Sequence, residues 1–333
     1  MSITDRCNLR CEYCMPGENY TWLPSKDILS FEEILRLTGL FADIGVTRLR
    51  LTGGEPLLRK NAEKLVAMIC AAGRFEEVAM TTNALGLAKL AQSLKDSGLS
   101  RLTISLDSLR EERVKAISGR DSLGQVLAGL DAVAAAGFTG TKLDTVAMRG
   151  VNDDEFCDMI AFGADRDIEV RFIEYMDVPG AQEWTKEKVI SRADMLDLFE
   201  EGFGVRPVSY GVQGSAPAAR FQLPPGAVWK GRDLAGQVFG IIASTTEPFC
   251  GSCDRSRVTA DGMWFKCLYA ELGLNLLTEL RAGVSDDHMR ALLLGDWKKR
   301  DDNGAEQRLQ QEERAAFKVE GNNPHLEMHT RGG

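Results

Sequence analysis

The sequence predicts an α/β fold, a partial (β/α)6 TIM-like barrel open on one side, with a C-terminal β-containing extension. Three observations lead there. Apolar, β-branched segments at 2–4, 48–52, 78–82, 102–106, 142–147 and 170–175 alternate with amphipathic stretches at 31–44, 62–72, 87–97, 122–136 and 154–164. That rhythm belongs to a parallel sheet wrapped by helices, and six units fall short of a closed eight-fold barrel. Glu55, Asn83, Asp107 and Glu174 each follow or close a predicted strand, the edge where barrel enzymes gather their chemistry. Lastly, no Gly-x-Gly-x-x-Gly follows a strand, which disfavours a two-layer dinucleotide-binding fold.

The first strand, at 2–4, is short and leads at once into Cys7-x3-Cys11-x2-Cys14. Three thiolates this close can hold three irons of a cubane [4Fe–4S] cluster. A fourth Cys would close such a cluster; with three, one iron stays open to a small molecule. The second strand carries Arg48 and Arg50, an i, i+2 pair that shares one face. In a barrel this strand is buried, and buried arginines need partners. It closes in Thr52-Gly53-Gly54-Glu55-Pro56, by itself an ordinary βα turn, although its glycines also allow a ligand to approach the backbone.

The composition changes after residue 204, which divides the chain into 1–203 and 204–333. Residues 210–226 are rich in Gly, Pro, Ser and Ala and read as a loop, whereas 236–244 reads as a strand. Segments 257–260 and 263–266 flank Asp261-Gly262, a strong hairpin signal. The hairpin returns Cys267 toward Cys250-x2-Cys253, forming a second three-Cys set. The alternative for this set is zinc, which normally takes four Cys or His ligands; the His residues are only His288, His325 and His329, all late in the chain. Cys70 and Cys157 sit within predicted helices without partner spacing. Arg255 and Arg257 are either two surface arginines or a pair converging on one anion, for which guanidinium forks are suited. The charged run 298–317 reads as helix followed by a solvated tail. The end, Arg331-Gly332-Gly333, is either frayed or flexible enough to reach into an open barrel.

Composition narrows the class. With 333 residues, 44% of them hydrophobic, the chain can bury one large core and a smaller annex. No uninterrupted apolar run approaches a membrane span, and the N-terminal residues form no signal peptide. Eight Cys without such a signal point to a reducing, cytoplasmic setting in which Cys clusters bind metal. A formal charge of −9 without a basic stripe argues against nucleic-acid binding, so any polyanion must be met by a few local cations.

The first cysteine spacing resembles the radical S-adenosylmethionine (SAM) superfamily, in which SAM chelates the open iron through its amine and carboxylate. Both three-Cys sets, Gly-Gly-Glu-Pro, Cys-Asp-Arg-Ser-Arg and the terminal Gly-Gly follow one order. That order resembles, nearly end to end, the GTP 3′,8-cyclase family of molybdenum cofactor biosynthesis. The resemblance implies a radical SAM lyase with two [4Fe–4S] clusters, the SAM-cleaving one on Cys7, Cys11 and Cys14. Tyr13, Gly54, Ser105 and Met176 fall at SAM-contact positions, with Glu55 and Asn83 close by. The cluster on Cys250, Cys253 and Cys267 is expected to take the guanine of GTP. Arg50, Thr81, Lys142, Arg255, Ser256 and Arg257 match positions that hold GTP, with Arg48 and Arg171 assisting at the triphosphate. Gly332 and Gly333 are associated with the radical chemistry.

In the implied reaction a 5′-deoxyadenosyl radical takes hydrogen from C3′ of GTP, and C3′ then bonds to C8. The product is (8S)-3′,8-cyclo-7,8-dihydroguanosine 5′-triphosphate. Expected partners are an electron-donor protein and the next enzyme of the pathway; members of the family are often dimers, so a homodimer belongs with them. This chain departs from the family at Ala84, where Gly is common, at Arg48, where Lys is often found, and in an Arg that usually precedes the position of Met1. The rival readings are another radical SAM enzyme with an auxiliary cluster, such as a peptide-modifying one, and a non-enzymatic iron–sulfur or zinc protein.

Overall fold

Because strand side chains alternate, one face of the sheet can meet helices while the other lines a lumen. The computed structural model describes residues 1–17, 19–316 and 327–332. Its first half runs α1 (Phe31–Asp43), β1 (Arg48–Leu51), α2 (Ala62–Ala71), β2 (Glu77–Thr82), α3 (Leu87–Asp96), β3 (Arg101–Ser105), α4 (Glu111–Ser118), α5 (Leu123–Ala135), β4 (Lys142–Ala147), α6 (Phe156–Ala164), β5 (Glu169–Glu174) and α7 (Arg192–Phe203). There follow β6 (Val208–Ser209), β7 (Ala219–Gln222), β8 (Val228–Trp229), β9 (Arg232–Asp233), β10 (Val238–Ile242), β11 (Arg257–Val258), β12 (Met263–Phe265), β13 (Leu274–Asn275), α8 (Leu276–Arg281), α9 (Asp286–Trp297) and α10 (Gly304–Leu309).

One sheet of eight strands has the order β1-β2-β3-β4-β5-β10-β7-β6. Neighbours from β1 to β5 are parallel, as are β5 and β10, whereas β7 and β6 add on antiparallel. The sheet is open and takes strands from both sides of residue 203. Its sixth parallel strand is β10; the N-terminal segment makes only a bridge between Ser2 and Thr52.

Leu51, Met80, Leu102, Ile104, Leu143, Phe172 and Ile241 alternate onto the helix-covered face and are fully buried. Each stabilises the fold by about 1.5–3 kcal/mol. Phe172 lies 4.7 Å from Phe156 and 5.3 Å from Phe199, which in turn lies 4.8 Å from Phe239, so aromatic rings seal the β5–β10 seam. Helix α1 starts where a capping box allows it: Glu33 N donates to Ser30 Oγ, and Ser30 N to the Glu33 carboxylate.

One expectation changes. Within the described part of 298–317, only α10 is helical, since α9 ends before the charged run. Of the two readings of the chain end, the described residues take the one that reaches into the molecule. Thr330 and Arg331 are 2% exposed, and Ser2 Oγ donates to Thr330 O at 2.9 Å. The tail's polar backbone finds partners inside the molecule, which offsets the cost of burying it. Among the described residues, no helix is long and apolar enough to cross a membrane.

Candidate active site

The first cysteine loop is held by the end of β1. Gly54 N donates to Thr4 O (2.9 Å) and Glu55 N to Arg6 O (2.7 Å), which docks the segment leading into Cys7. A Cβ on Gly53, whose φ is +151°, would lie 2.4 Å from Thr4 O; one on Gly54 would lie 2.4 Å from Arg6 O. These glycines therefore admit protein backbone as well as any ligand. The Glu55 side chain is also engaged: it accepts from Thr82 Oγ1 (2.7 Å), Asn83 N (2.8 Å) and Leu57 N (3.0 Å). Burial raises its pKa to about 6 against those donors.

Asn83 reaches the loop directly, donating from Nδ2 to Asn8 Oδ1 at 2.8 Å. It is followed by Ala84 with φ +67°, a left-handed position that explains the glycine usual there. Tyr13 donates its hydroxyl to Asp107 at 2.7 Å, and Val146 N donates to the other Asp107 oxygen. Asp107 thus ties the loop to the ends of β3 and β4; burial raises its pKa to about 6. From the opposite side, Gly180 packs so closely that a Cβ would lie 2.1 Å from Cys14 O. Met176, four residues earlier, is half-buried.

The lumen face is charged. Cross-strand register aligns Arg50 with Ala79 and Arg101, then Thr81 with Thr103, Lys142 and Glu169, then Ser105 with Asp144 and Arg171. Arg50 Nη1 donates to Thr81 Oγ1 (2.9 Å) and Thr103 Oγ1 (2.8 Å). Arg101 pairs with Glu77 at 2.7 Å, and Arg171 Nε with Glu169 at 2.8 Å. Burial first, then repulsion from Arg171 and Arg101, lowers the Lys142 pKa to about 8. Arg48 corrects an expectation. It is exposed at the start of β1, because the strand enters the wall only beyond it.

Around the second set, Cys250 sits in a short turn, Cys250–Ser252, packed by α10. The amides of Glu306 and Ala305 donate to the Cys250 sulfur, and Arg255 Nη2 to Cys253 Sγ at 3.2 Å. Burial pushes the Cys253 thiol up, but the Arg255 amide and guanidinium, with Arg300, outweigh it, so the net shift is downward. Arg255 lies before β11, so strand alternation does not align it with Arg257, and Ser256 stands between them. Arg257 Nη1 instead points to the tail, donating to Arg331 O (3.3 Å) and Gly332 O (3.2 Å). Burial, followed by repulsion from Arg255, lowers its pKa to about 10. Gly332 has φ +78°, and its Cβ would lie 2.2 Å from Thr52 Cγ2, at the end of β1. Gly333 lies outside the described residues.

Arg101 and Asp144 are lumen residues that the sequence reading passed over. Both obey the alternation that picked out Arg50, and that was the available signal. Arg331 was also missed: its guanidinium covers the Phe265 ring at 4.2 Å and donates to Ala270 O.

The donor sets fit iron–sulfur clusters. All six cysteines are half-buried free thiols. Burial raises Cys7, Cys11 and Cys14, with Asp107 and neighbouring thiolates adding at Cys11, so a cationic partner is what makes thiolates favourable there. N–H donors aim at sulfur in the second set, as anionic sulfur requires. Among the described residues, no three Cys, His, Asp or Glu are gathered around a point that one metal ion could take. A cubane makes a different demand, each thiol meeting its own iron.

Residues 1–163 match the family model of the radical SAM superfamily, and residues 168–306 that of molybdenum cofactor synthesis C. A Mycobacterium tuberculosis protein, GTP 3′,8-cyclase 1, is 49% identical over 100% of this chain and 92% of its own length. The GTP 3′,8-cyclase of Staphylococcus haemolyticus is 38% identical over 93% of this chain and 90% of its own. Streptococcus suis SuiB bound to S-adenosylmethionine shares the fold with a TM-score of 0.57 and 16% identity, over 83% of this chain and 62% of that one.

Proposed function

The chain belongs to the GTP 3′,8-cyclase family of radical SAM enzymes, and we propose that its own lumen is where GTP is held for cyclisation. It is a lyase of the first step of molybdenum cofactor biosynthesis, working with SAM and [4Fe–4S] clusters. One observation carries the reading of the site: a row of inward cations, Arg50, Arg101, Lys142 and Arg171, lies on neighbouring strands of the wall. A triphosphate is the ligand such a row suits. Each charge-assisted hydrogen bond to it contributes about 1.5–3 kcal/mol.

In this reading Cys7, Cys11 and Cys14 hold the SAM-side cluster, while Cys250, Cys253 and Cys267 hold the one facing guanine. When bound, the first cluster and SAM supply the 5′-deoxyadenosyl radical that takes hydrogen from C3′. The protein's part is placement. Tyr13, Gly54, Glu55, Asn83, Ser105 and Met176 surround SAM. Arg50, Thr81, Lys142, Arg171, Arg255, Ser256 and Arg257 fix the nucleotide, so that C3′ faces the radical source and C8 faces C3′. Exposed Arg48 meets only the outer end of the triphosphate. The buried tail at Arg257 closes one side of the site against water and stray hydrogen donors. Residues 1–203 serve the SAM side and 204–333 the guanine side. An electron-donor protein, the next enzyme of the pathway, a homodimer and a cytoplasmic setting belong to the same reading.

The test is anaerobic incubation of reconstituted protein with SAM, dithionite and either GTP or ATP. The expected result is 5′-deoxyadenosine plus an isomer of GTP, and no cyclised product from ATP. Deoxyadenosine without nucleotide conversion would favour a radical SAM enzyme acting on another substrate. No deoxyadenosine from protein holding about eight irons, the content of two cubanes, would overturn the reading.

A further inference from the structure

The lumen contains one polar group that its surroundings leave unused. Asp144 stands on β4 and points into the cation row, yet its buried Oδ1 has no hydrogen-bond partner among the described residues. Three of the cations around it bond elsewhere, Arg50 to Thr81 and Thr103, Arg101 to Glu77 and Arg171 to Glu169, and the fourth, Lys142, does not bond to this oxygen either. Burial raises the Asp144 pKa, and Arg171, Arg50, Lys142 and Arg101 pull it back down. A buried acceptor left empty is costly unless a ligand fills it.

Its position indicates which part of a ligand that is. Register sets Asp144 directly between Ser105 of β3 and Arg171 of β5. Ser105 is on the SAM side of the proposed site and Arg171 on the triphosphate side. Between a triphosphate and the radical source lies the ribose, whose C3′ must be presented. A carboxylate repels phosphate but accepts readily from hydroxyl, and ribose offers two hydroxyls. We infer that Asp144 accepts a hydrogen bond from the ribose 2′,3′-diol of the bound nucleotide and thereby sets the orientation of C3′. The inference rests on reading this lumen as the GTP site.

The experiment compares affinities within each variant, so that a fraction of misfolded protein cancels. Reconstituted enzyme without reductant is titrated calorimetrically with GTP, 2′-deoxy-GTP and 3′-deoxy-GTP. Wild type is expected to bind at least one deoxy analogue roughly tenfold or more weakly, the scale of a hydrogen bond to a charged group. Asp144→Ala should bind all three within about twofold, and Asp144→Asn, which keeps an acceptor oxygen, should fall between. Under turnover, Asp144→Ala should release more 5′-deoxyadenosine per cyclised nucleotide than wild type. Wild-type discrimination retained by Asp144→Ala, or its absence from wild type, would overturn the inference. Failure of wild type to convert GTP would instead remove the cyclase reading, so the two failures are distinguishable.

Discussion

Gly54→Ala tests how the first cysteine loop is held. The new Cβ would lie 2.4 Å from the Arg6 carbonyl oxygen, 2.5 Å from its carbon and 2.8 Å from Asp5 O. Relief requires the 4–6 segment to shift by about 1 Å, toward ordinary contact distance. That shift stretches Gly54 N to Thr4 O and Glu55 N to Arg6 O, now 2.9 and 2.7 Å. Two hydrogen bonds at about 1 kcal/mol each, plus about 1–3 kcal/mol for overpacking, give a local cost of about 3–5 kcal/mol. Arg6 adjoins Cys7, so the cost falls on the loop proposed to hold the first cluster. Iron per chain after reconstitution reads this directly. The variant should carry about four irons where wild type carries about eight, and should produce no 5′-deoxyadenosine. Gly124→Ala, where a Cβ meets nothing within 4 Å, is the control and should load normally. A Gly54→Ala protein with full iron and wild-type deoxyadenosine formation would refute the reasoning.

In the proposed GTP site Lys142 must be charged to attract a triphosphate, and its pKa is lowered to about 8 by burial and by Arg171 and Arg101. GTP affinity should therefore be level below that pH and fall by up to about tenfold per unit above it; calorimetric titration of wild type and Lys142→Met checks this, since the variant should lose that dependence. Gly332→Ala places a Cβ 2.2 Å from Thr52 Cγ2 at φ +78°, so the tail cannot seat. Iron content should stay near wild type while cyclised nucleotide falls at least about tenfold, the loss expected when a positioning element is displaced; unchanged product would mean that the tail's placement is incidental.

Strand alternation made the barrel wall legible, because a period of two is local, and β1 to β5 lie where the sequence places them. The same period marks Arg101 and Asp144. However, Arg101 has an acid two strand positions away across the sheet, and Asp144 follows Lys142, so each looks like part of an ordinary ion pair. Arg48 shows the opposite failing: alternation indicates a face but not where a strand enters the wall. Gly53 and Gly54 as residue types suit an ordinary turn or the approach of a ligand, and neither reading includes the backbone of Thr4 and Arg6 that packs against them. Tyr13 with Asp107, 94 residues apart, and Arg257 with Gly332 are contacts that no local pattern encodes. Burial of the tail as far as Gly332 is likewise a property of the cavity that receives it.

The central claim is that this lumen presents C3′ of GTP to the radical source. GTP deuterated at C3′, incubated anaerobically with the reconstituted protein, SAM and reductant, tests it most directly. The account predicts 5′-deoxyadenosine one mass unit heavier, formed together with the cyclised nucleotide. Unlabelled 5′-deoxyadenosine accompanying that product would contradict it.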